Sequence, residues 1–244
     1  MISIILPTFN RSHILTSTIN NVMSQTFLEY ELIVINDNSS DDTDKIVKKL
    51  QLKNQCIKYI RNNQNVGCAE SRKIGYQQSS GDIIVFLDDD DTWDKEKLMK
   101  QYHLLKHTNY DMVISDYYIK QNKKLTYQNM EKFGNDFKNQ IVKSPGPFFQ
   151  SIMITKKTID EMKDPFDCDA VPSEDWNFFI ELAKLNIKVG HIAEPLFTWH
   201  LNNDNQSLDL EKEALALEYI VEKHIKYFQK NINANILSNH YRRI

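Results

Sequence analysis

The stretch "GDIIVFLDDDDTW" sets four aspartates, Asp88 to Asp91, directly behind a run of apolar residues. Carboxylates packed this closely raise one another's proton affinity and repel, so the cluster calls for a cation, a helix terminus or abundant water. At the end of a strand such oxygens suit a hard divalent ion, Mg²⁺ or Mn²⁺, which in turn neutralises a diphosphate. The plainer reading is a solvated turn capping the helix that begins near Asp94, where acids favour the positive helix end. One or two aspartates suit that turn, and four behind a buried run fit it poorly. An EF-hand is excluded, because the loop lacks the required Gly and the closing Glu. A further acid, Asp37 in "VINDNSSDD", can accept hydrogen bonds from a nucleobase edge or a ribose hydroxyl, or it can close an Asx-turn between strand and helix. Neither G-x-x-x-x-G-K-[ST] nor G-x-G-x-x-G occurs, which leaves a diphosphate held by metal and not by a glycine cradle.

The elements that must position these acids alternate along the chain. "ISIIL" (2–6), "YELIVI" (30–35), "IKYIR" (57–61) and "DIIVFL" (82–87) read as strands. Each is followed by apolar residues at helical spacing, the first such run being "HILTSTINNVMSQ" (13–25). Four strand and helix pairs in series predict a parallel sheet covered by helices, because parallel strands need crossovers. In an open α/β sheet the ligand sits outside the carboxyl ends of the strands. Residues 8–10, Asp37 with Asn38, residues 62–65 and Asp88 to Asp91 are therefore expected on one rim. Further along, 110–119 and 148–154 read as strands, 156–162 as a short helix and 120–147 as irregular. A helix over 173–185 with Ser173 as N-cap, two short strands in "KVGHIA" and "LFTWHL", and a last helix over 209–230 complete the expectation.

Bulk properties narrow the partners. With 244 residues, 41% hydrophobic and 26% charged, and only six Gly and six Pro, the chain predicts an ordinary globular α/β domain. A net charge of −3 excludes a general basic field for nucleic acid. Cys56, Cys68 and Cys168 are odd in number and form no CxxC or zinc spacing, so reduced thiols are expected. No stretch approaches the length of a membrane span, and the opening "MISIILPTFN" is too short in apolar residues for a signal peptide. The expectation is a cytoplasmic protein.

Taken in order, "ISIILPTFNR", "YELIVINDNSSDDT", "NVGCAESRKIGY", "GDIIVFLDDDDTW" and "PFDCDAVPSEDWNFFIELA" resemble the motif set of family 2 glycosyltransferases, over roughly residues 2–200. The resemblance implies the GT-A fold, a Rossmann-like, mostly parallel nucleotide-binding sheet with a C-terminal acceptor region. Residues 1–208 would form this domain, with 1–109 as the donor-nucleotide half and 110–208 as the acceptor half, and 209–244 would add a helix and a basic tail. It implies inverting transfer of a sugar from a nucleoside diphosphate donor, usually a UDP-sugar, with Mn²⁺ or Mg²⁺. Phe9 matches the aromatic that stacks on uracil, with Pro7 and Thr8 in the same pocket. Asp37 matches the carboxylate that binds the base, and Arg72 a donor contact. Asp88 and Asp90 match the outer members of the D-x-D motif, Asp90 as direct metal ligand and Asp88 also near the ribose, while Asp89 holds the variable middle position beside the donor. Asp175 matches the catalytic base, although an acid in the first turn of a helix also suits the dipole alone.

Other positions keep two readings. Glu174 can bind acceptor hydroxyls or cap the helix, Trp176 can carry an acceptor sugar or fill the core, and His200 can reach the pyrophosphate or end a strand. The chain departs from the family pattern at Glu181, where an Arg is common, and at His200 and Asn202, where Arg and His are common. Lys223, Lys226, Lys230, Arg242 and Arg243 share a C-terminal segment without Asp or Glu, which suits an anionic bilayer or a solvated helix and tail. From what compact single-domain members of the family commonly do, the resemblance implies transfer onto a lipid-linked saccharide in bacterial surface polysaccharide synthesis, with the protein cytoplasmic or peripheral to the inner membrane face. Two competing functions are a nucleotidyltransferase, which would normally carry a Gly-rich first loop absent from "LPTFNRSH", and a non-catalytic nucleotide- or sugar-binding module.

Overall fold

The computed structural model describes residues 1–201 and 209–231. The chain runs β1 (Ile2–Thr8), α1 (Ser12–Met23), β2 (Tyr30–Asn36), α2 (Thr43–Gln51), β3 (Ile57–Arg61), α3 (Cys68–Gln77), β4 (Ile83–Phe86) and β5 (Thr92–Trp93). It continues with α4 (Lys97–Lys106), β6 (Met112–Gln121), β7 (Lys124–Gln128), α5 (Glu131–Ile141), β8 (Ile152–Thr155), α6 (Lys156–Asp160), α7 (Glu174–Ala183), β9 (Val189–His200), α8 (Leu210–Lys223) and α9 (Ile225–Asn231). Among the described residues the sheet order is β3-β2-β1-β4-β8-β6-β9-β5, with β7 added to β6.

The first half follows from the apolar runs. β1 lies between β2 and β4, parallel to both, and every one of its residues is buried. A central parallel strand is covered on both faces, which is why it reads as a continuous apolar run and not as an alternation. β3 is the edge of this half and grades to an exposed Arg61. Gly75 lets α3 lie flat on the sheet: a Cβ there would stand 2.6 Å from Ile5 Cγ2 and 2.7 Å from Ile35 Cδ1. Gly75→Ala is expected to destabilise the fold by about 1–3 kcal/mol through overpacking, and the urea denaturation midpoint is the check.

The second half changes direction. β8 joins β4 and β6 antiparallel, and β9 then runs parallel to β6. The region 120–147, expected to be irregular, contains β7 and α5. The signal was weak because "KLTYQ" is short and half exposed, and because α5 is kinked at Asp136 although Phe133, Phe137 and Ile141 keep helical spacing. Both elements are pinned by the fully buried Asp116, which accepts from the Met130 amide at 2.7 Å and from the Tyr127 hydroxyl, and pairs with His191 at 2.7 Å. Two further expectations shift. The predicted strand over 148–154 opens with a 3-10 turn at Phe149–Ser151, and the two short strands near 189–200 are the single β9, whose register slips around Asp116.

The C-terminal helices pack onto the body, with Ile220, Val221 and Phe228 in the same core cluster as β1, β4 and α7. The expected helix over 209–230 is divided at His224. Lys223, offered above as a bilayer contact, is held by Asp164 at 2.8 Å and Asp167 at 2.5 Å. Asn202, Arg242 and Arg243 lie outside the described residues. No helix among the described residues is long and apolar enough to cross a membrane.

Candidate active site

The carboxyl ends of β1, β2 and β4 open onto one cleft of about 370 Å³, as the rim argument expects. One wall carries Pro7, Thr8 and Phe9 with Asp37. Phe9 is 44% exposed although it follows a fully buried strand. A large aromatic left open at a strand end has a face on which a planar ring can stack. Asp37 is buried and organises the loop before α3. Its Oδ1 accepts from Asn62 Nδ2 at 2.8 Å and from the Val66 amide at 2.9 Å, and its Oδ2 from the Gly67 amide at 2.8 Å. Gly67 takes φ +86, a left-handed conformation that costs glycine little. A carboxylate oxygen has two acceptor sites, so Oδ2 keeps one for a donor in the cleft.

The four aspartates occupy different environments. Asp88 Oδ1 accepts from Arg72 Nη2 at 2.7 Å, and its Oδ2 accepts from Gln150 Nε2. Asp89 is buried, and its Oδ2 accepts from Thr8 Oγ1 at 2.6 Å. Burial pushes its carboxyl up to about 7 against that hydrogen bond. Asp90 lines the cleft with the Arg11 guanidinium at 3.9 Å, and burial together with the charge of Asp88 raises its proton affinity. Asp91 points elsewhere: it is buried, accepts from the His200 amide at 3.1 Å, and is held well above the usual carboxylate range by burial and its neighbours. Asp91 thus ties the loop to the end of β9, and the cleft is left with Asp88, Asp89 and Asp90.

Among the described residues no three ligand-type side chains gather as a ready-made metal cage. The donor set nevertheless suits a hard cation. Asp89 and Asp90, raised by burial and by neighbouring carboxylates, are groups a divalent charge would relieve, and Asp90 is the one least engaged by neighbouring side chains.

The far wall holds the remaining acids. Asp175 lies in the first turn of α7, where its Oδ1 accepts the Trp176 amide at 2.7 Å. Burial, then the adjacent Glu174, pushes its carboxyl up to about 7, outweighing the helix dipole. Glu174 Oε1 accepts from Arg72 Nη1 at 2.5 Å and from Cys68 Sγ at 3.2 Å, while its buried Oε2 has no hydrogen-bond partner among the described residues. Arg72, 5% exposed, therefore bridges the aspartate run to the acid pair. Among the described residues Ser173 stands at the N-cap of α7 without a side-chain cap hydrogen bond.

Two expected acceptor residues are placed away from the cleft. Trp176 is 1% exposed, donates Nε1–H to the Ile141 carbonyl at 2.8 Å and packs against Phe228, so no ring face is left for a sugar. His200 pairs with Thr92 Oγ1 at 2.8 Å beyond the cleft lining. Glu181 pairs with Lys184 at 2.6 Å in the body of the fold. Conversely, Arg11, Phe148, Gln150 and Trp199 line the cleft without having been singled out. Arg11 carried a signal, a cation three residues past a strand end that faces an acidic loop. The others come from the second half, where topology was not legible.

The model of the family described as "Glycosyl transferase family 2" matches residues 3–164. The Escherichia coli UDP-Glc:alpha-D-GlcNAc-diphosphoundecaprenol beta-1,3-glucosyltransferase WfgD is 29% identical over 186 residues, 76% of this chain and 71% of that protein. The Staphylococcus aureus poly(ribitol-phosphate) beta-N-acetylglucosaminyltransferase TarP is 30% identical over 187 residues, 74% of this chain and 56% of its own length. Among solved structures, S. aureus TarS in complex with UDP-GlcNAc superposes with a TM-score of 0.78 at 19% identity, covering 99% of this chain and 72% of that one. The mannosyltransferase PcManGT from Pyrobaculum calidifontis in complex with GDP-Man and Mn²⁺ gives 0.69 at 15% identity, covering 92% of this chain and 64% of that one. With the ordered motifs, the parallel half-sheet and the cleft at its carboxyl ends, these matches show that the chain belongs to glycosyl transferase family 2 and has the GT-A fold.

Proposed function

We propose that the protein transfers a hexose, with inversion, from a UDP-sugar to a hydroxyl of a lipid-linked saccharide, in bacterial surface polysaccharide synthesis at the inner membrane face. The observation that carries this reading is the order of groups along one cleft: an exposed aromatic and Asp37 at one wall, Asp88 and Asp90 in the middle, and Asp175 with a raised proton affinity at the other. The donor class and the lipid-linked acceptor are supported by the name of WfgD, and a nucleotide diphosphate-sugar by the ligands named for TarS and PcManGT.

In this reading Phe9 stacks on the base and Asp37 Oδ2 accepts from its edge. The acceptor oxygen attacks C1 as the bond from C1 to the diphosphate oxygen breaks on the opposite face, and the hydroxyl proton passes to Asp175. Arg72 and Gln150 fix Asp88, Thr8 fixes Asp89, and Asp90 would hold a divalent cation, which supplies charge stabilisation to the departing diphosphate. The Trp176 amide orients the Asp175 carboxyl.

The test is a screen of UDP-, GDP- and dTDP-sugars for Mn²⁺-dependent hydrolysis and transfer. Turnover of a UDP-hexose is expected, and UDP binding without turnover of any donor would leave a binding module. Within the same screen Asp90→Ala is expected to remove the strengthening of UDP binding by Mn²⁺, a loss of roughly tenfold or more. Unaltered Mn²⁺ dependence in calorimetry would overturn the assignment of Asp90 as ligand.

A further inference from the structure

Sheet order divides the cleft into two sides. Phe9 and Asp37 leave β1 and β2, on one side of β4. Phe148 precedes the 3-10 turn before β8, and Trp199 ends β9, both on the other side of β4. Asp88 to Asp90 follow β4 and separate the two. A nucleotide on Phe9 and Asp37 with its diphosphate at Asp90 directs the sugar it carries toward Phe148 and Trp199, and whatever attacks that sugar must enter from this second side.

The two rings there are built as a wall. Phe148 and Trp199 are 4.9 Å apart between centroids at 51°, and both are only partly buried and line the cleft. Phe148 is backed edge-on by Tyr117 at 5.6 Å, and Tyr117 stacks on Phe197 at 4.8 Å and 19°. The backing rings are buried, so the partly buried pair is packed from behind. The same wall shares the cleft with Asp175, since Phe148, Trp199 and Asp175 all line it. Both rings pack against the core and keep part of their surface on the cleft beside Asp88, Asp89 and Asp90, and an aromatic face beside hydrogen-bonding carboxylates is what a pyranose ring requires, apolar C–H groups on one face and hydroxyls at its edge. Glu174 Oε2, buried in the cleft lining without a hydrogen-bond partner among the described residues, offers an acceptor for one of those hydroxyls.

We propose that Phe148 and Trp199 form the acceptor subsite, a stacking wall for the terminal pyranose of the acceptor saccharide that presents its hydroxyl to Asp175. This rests on the glycosyltransferase reading above and adds the residues that select the acceptor. The place held by Trp176 in the sequence expectation thereby passes to Trp199, which lies across the cleft on β9.

The experiment compares wild type, Trp199→Ala, Trp199→Phe and Phe148→Ala, each checked for an unchanged thermal midpoint. Three quantities are read: UDP affinity by calorimetry, UDP release from the donor without acceptor, and transfer to a panel of p-nitrophenyl and diphosphate-alkyl glycosides of GlcNAc, GalNAc, glucose and galactose. Trp199→Ala is expected to raise KM for the accepted glycoside about tenfold or more, with Trp199→Phe restoring most of it and UDP affinity unchanged. Phe148→Ala is expected to shift the same KM in the same direction. An unaltered acceptor KM, or a loss confined to UDP affinity, overturns the subsite. A wild type that hydrolyses a donor but accepts no saccharide in the panel also overturns it, whereas a wild type that neither binds UDP nor hydrolyses any donor overturns the glycosyltransferase reading itself.

Discussion

Asp175→Asn is expected to lower transfer by about 10²–10⁴-fold, the range that a positioned general base contributes, with UDP affinity kept within about twofold. The substitution retains the shape of the side chain and an oxygen for the Trp176 amide, which now holds Oδ1 at 2.7 Å, but it removes the proton acceptor. The environment also dictates the pH profile. Burial and Glu174 push Asp175 up to about 7, and a base works only when deprotonated. Wild-type transfer should therefore climb as pH rises through about 7 and level off above it, and the residual activity of the Asn variant should lose this dependence. Stability moves the opposite way. Between roughly pH 4 and 7 the folded chain retains a proton on Asp175 that the unfolded chain has released, so this group makes the wild type less stable as pH rises across that window. The Asn variant lacks that loss and is expected to melt no lower than the wild type at about pH 8. Stopped-time transfer assays and thermal melts across pH check both halves, and retained turnover in a folded variant would remove Asp175 as base.

What the sequence made legible follows from where a single chain segment is sufficient. β1, β2 and β4 are continuous apolar runs because they are buried on both faces, and the rule that ligands gather at the carboxyl ends then placed Phe9, Asp37 and Asp88 to Asp90 together without any distance being known. The aspartate run looked like four equal charges, yet its members diverge because each meets a different partner from a distant segment: Arg72 for Asp88, Thr8 for Asp89, Arg11 for Asp90 and the His200 amide for Asp91. Of the two readings open for Trp176, the core one holds for the same reason. Whether a tryptophan faces solvent or core depends on which neighbour packs on it, and the Ile141 carbonyl and Phe228 that bury Trp176 belong to α5 and α9. α5 was not legible at all, since its kink at Asp136 and the brevity of β7 hide the periodicity.

Arg72 shows most clearly what only the fold reveals. Arg72 lines the cleft, as a residue matched to a donor contact would, but a donor contact alone would on removal weaken UDP binding and little else. Its guanidinium is also largely buried, with Nη2 at 2.7 Å from Asp88, Nη1 at 2.5 Å from Glu174 and its carbon 4.9 Å from the Phe149 ring centroid. Two carboxylates, one from the loop after β4 and one from α7, are thereby neutralised by one cation on α3. Removing a single partner from such an arrangement leaves unpaired charge in a desolvated site, so Arg72→Ala is expected to destabilise the protein by about 3–5 kcal/mol, which for this size lowers the melting point by roughly 10 °C. Arg72→Lys should recover little, because an ammonium cannot reach both acids with a planar fork. The decisive comparison is Arg72→Met with Glu174→Gln against each single change. If the guanidinium is chiefly a counter-charge, the double variant should be more stable than Arg72→Met alone, with a coupling above about 1 kcal/mol. A near-zero coupling in urea denaturation would mean that the two residues act independently, and the bridge from the aspartate loop to the acid pair would then hold neither the fold nor the position of Asp175.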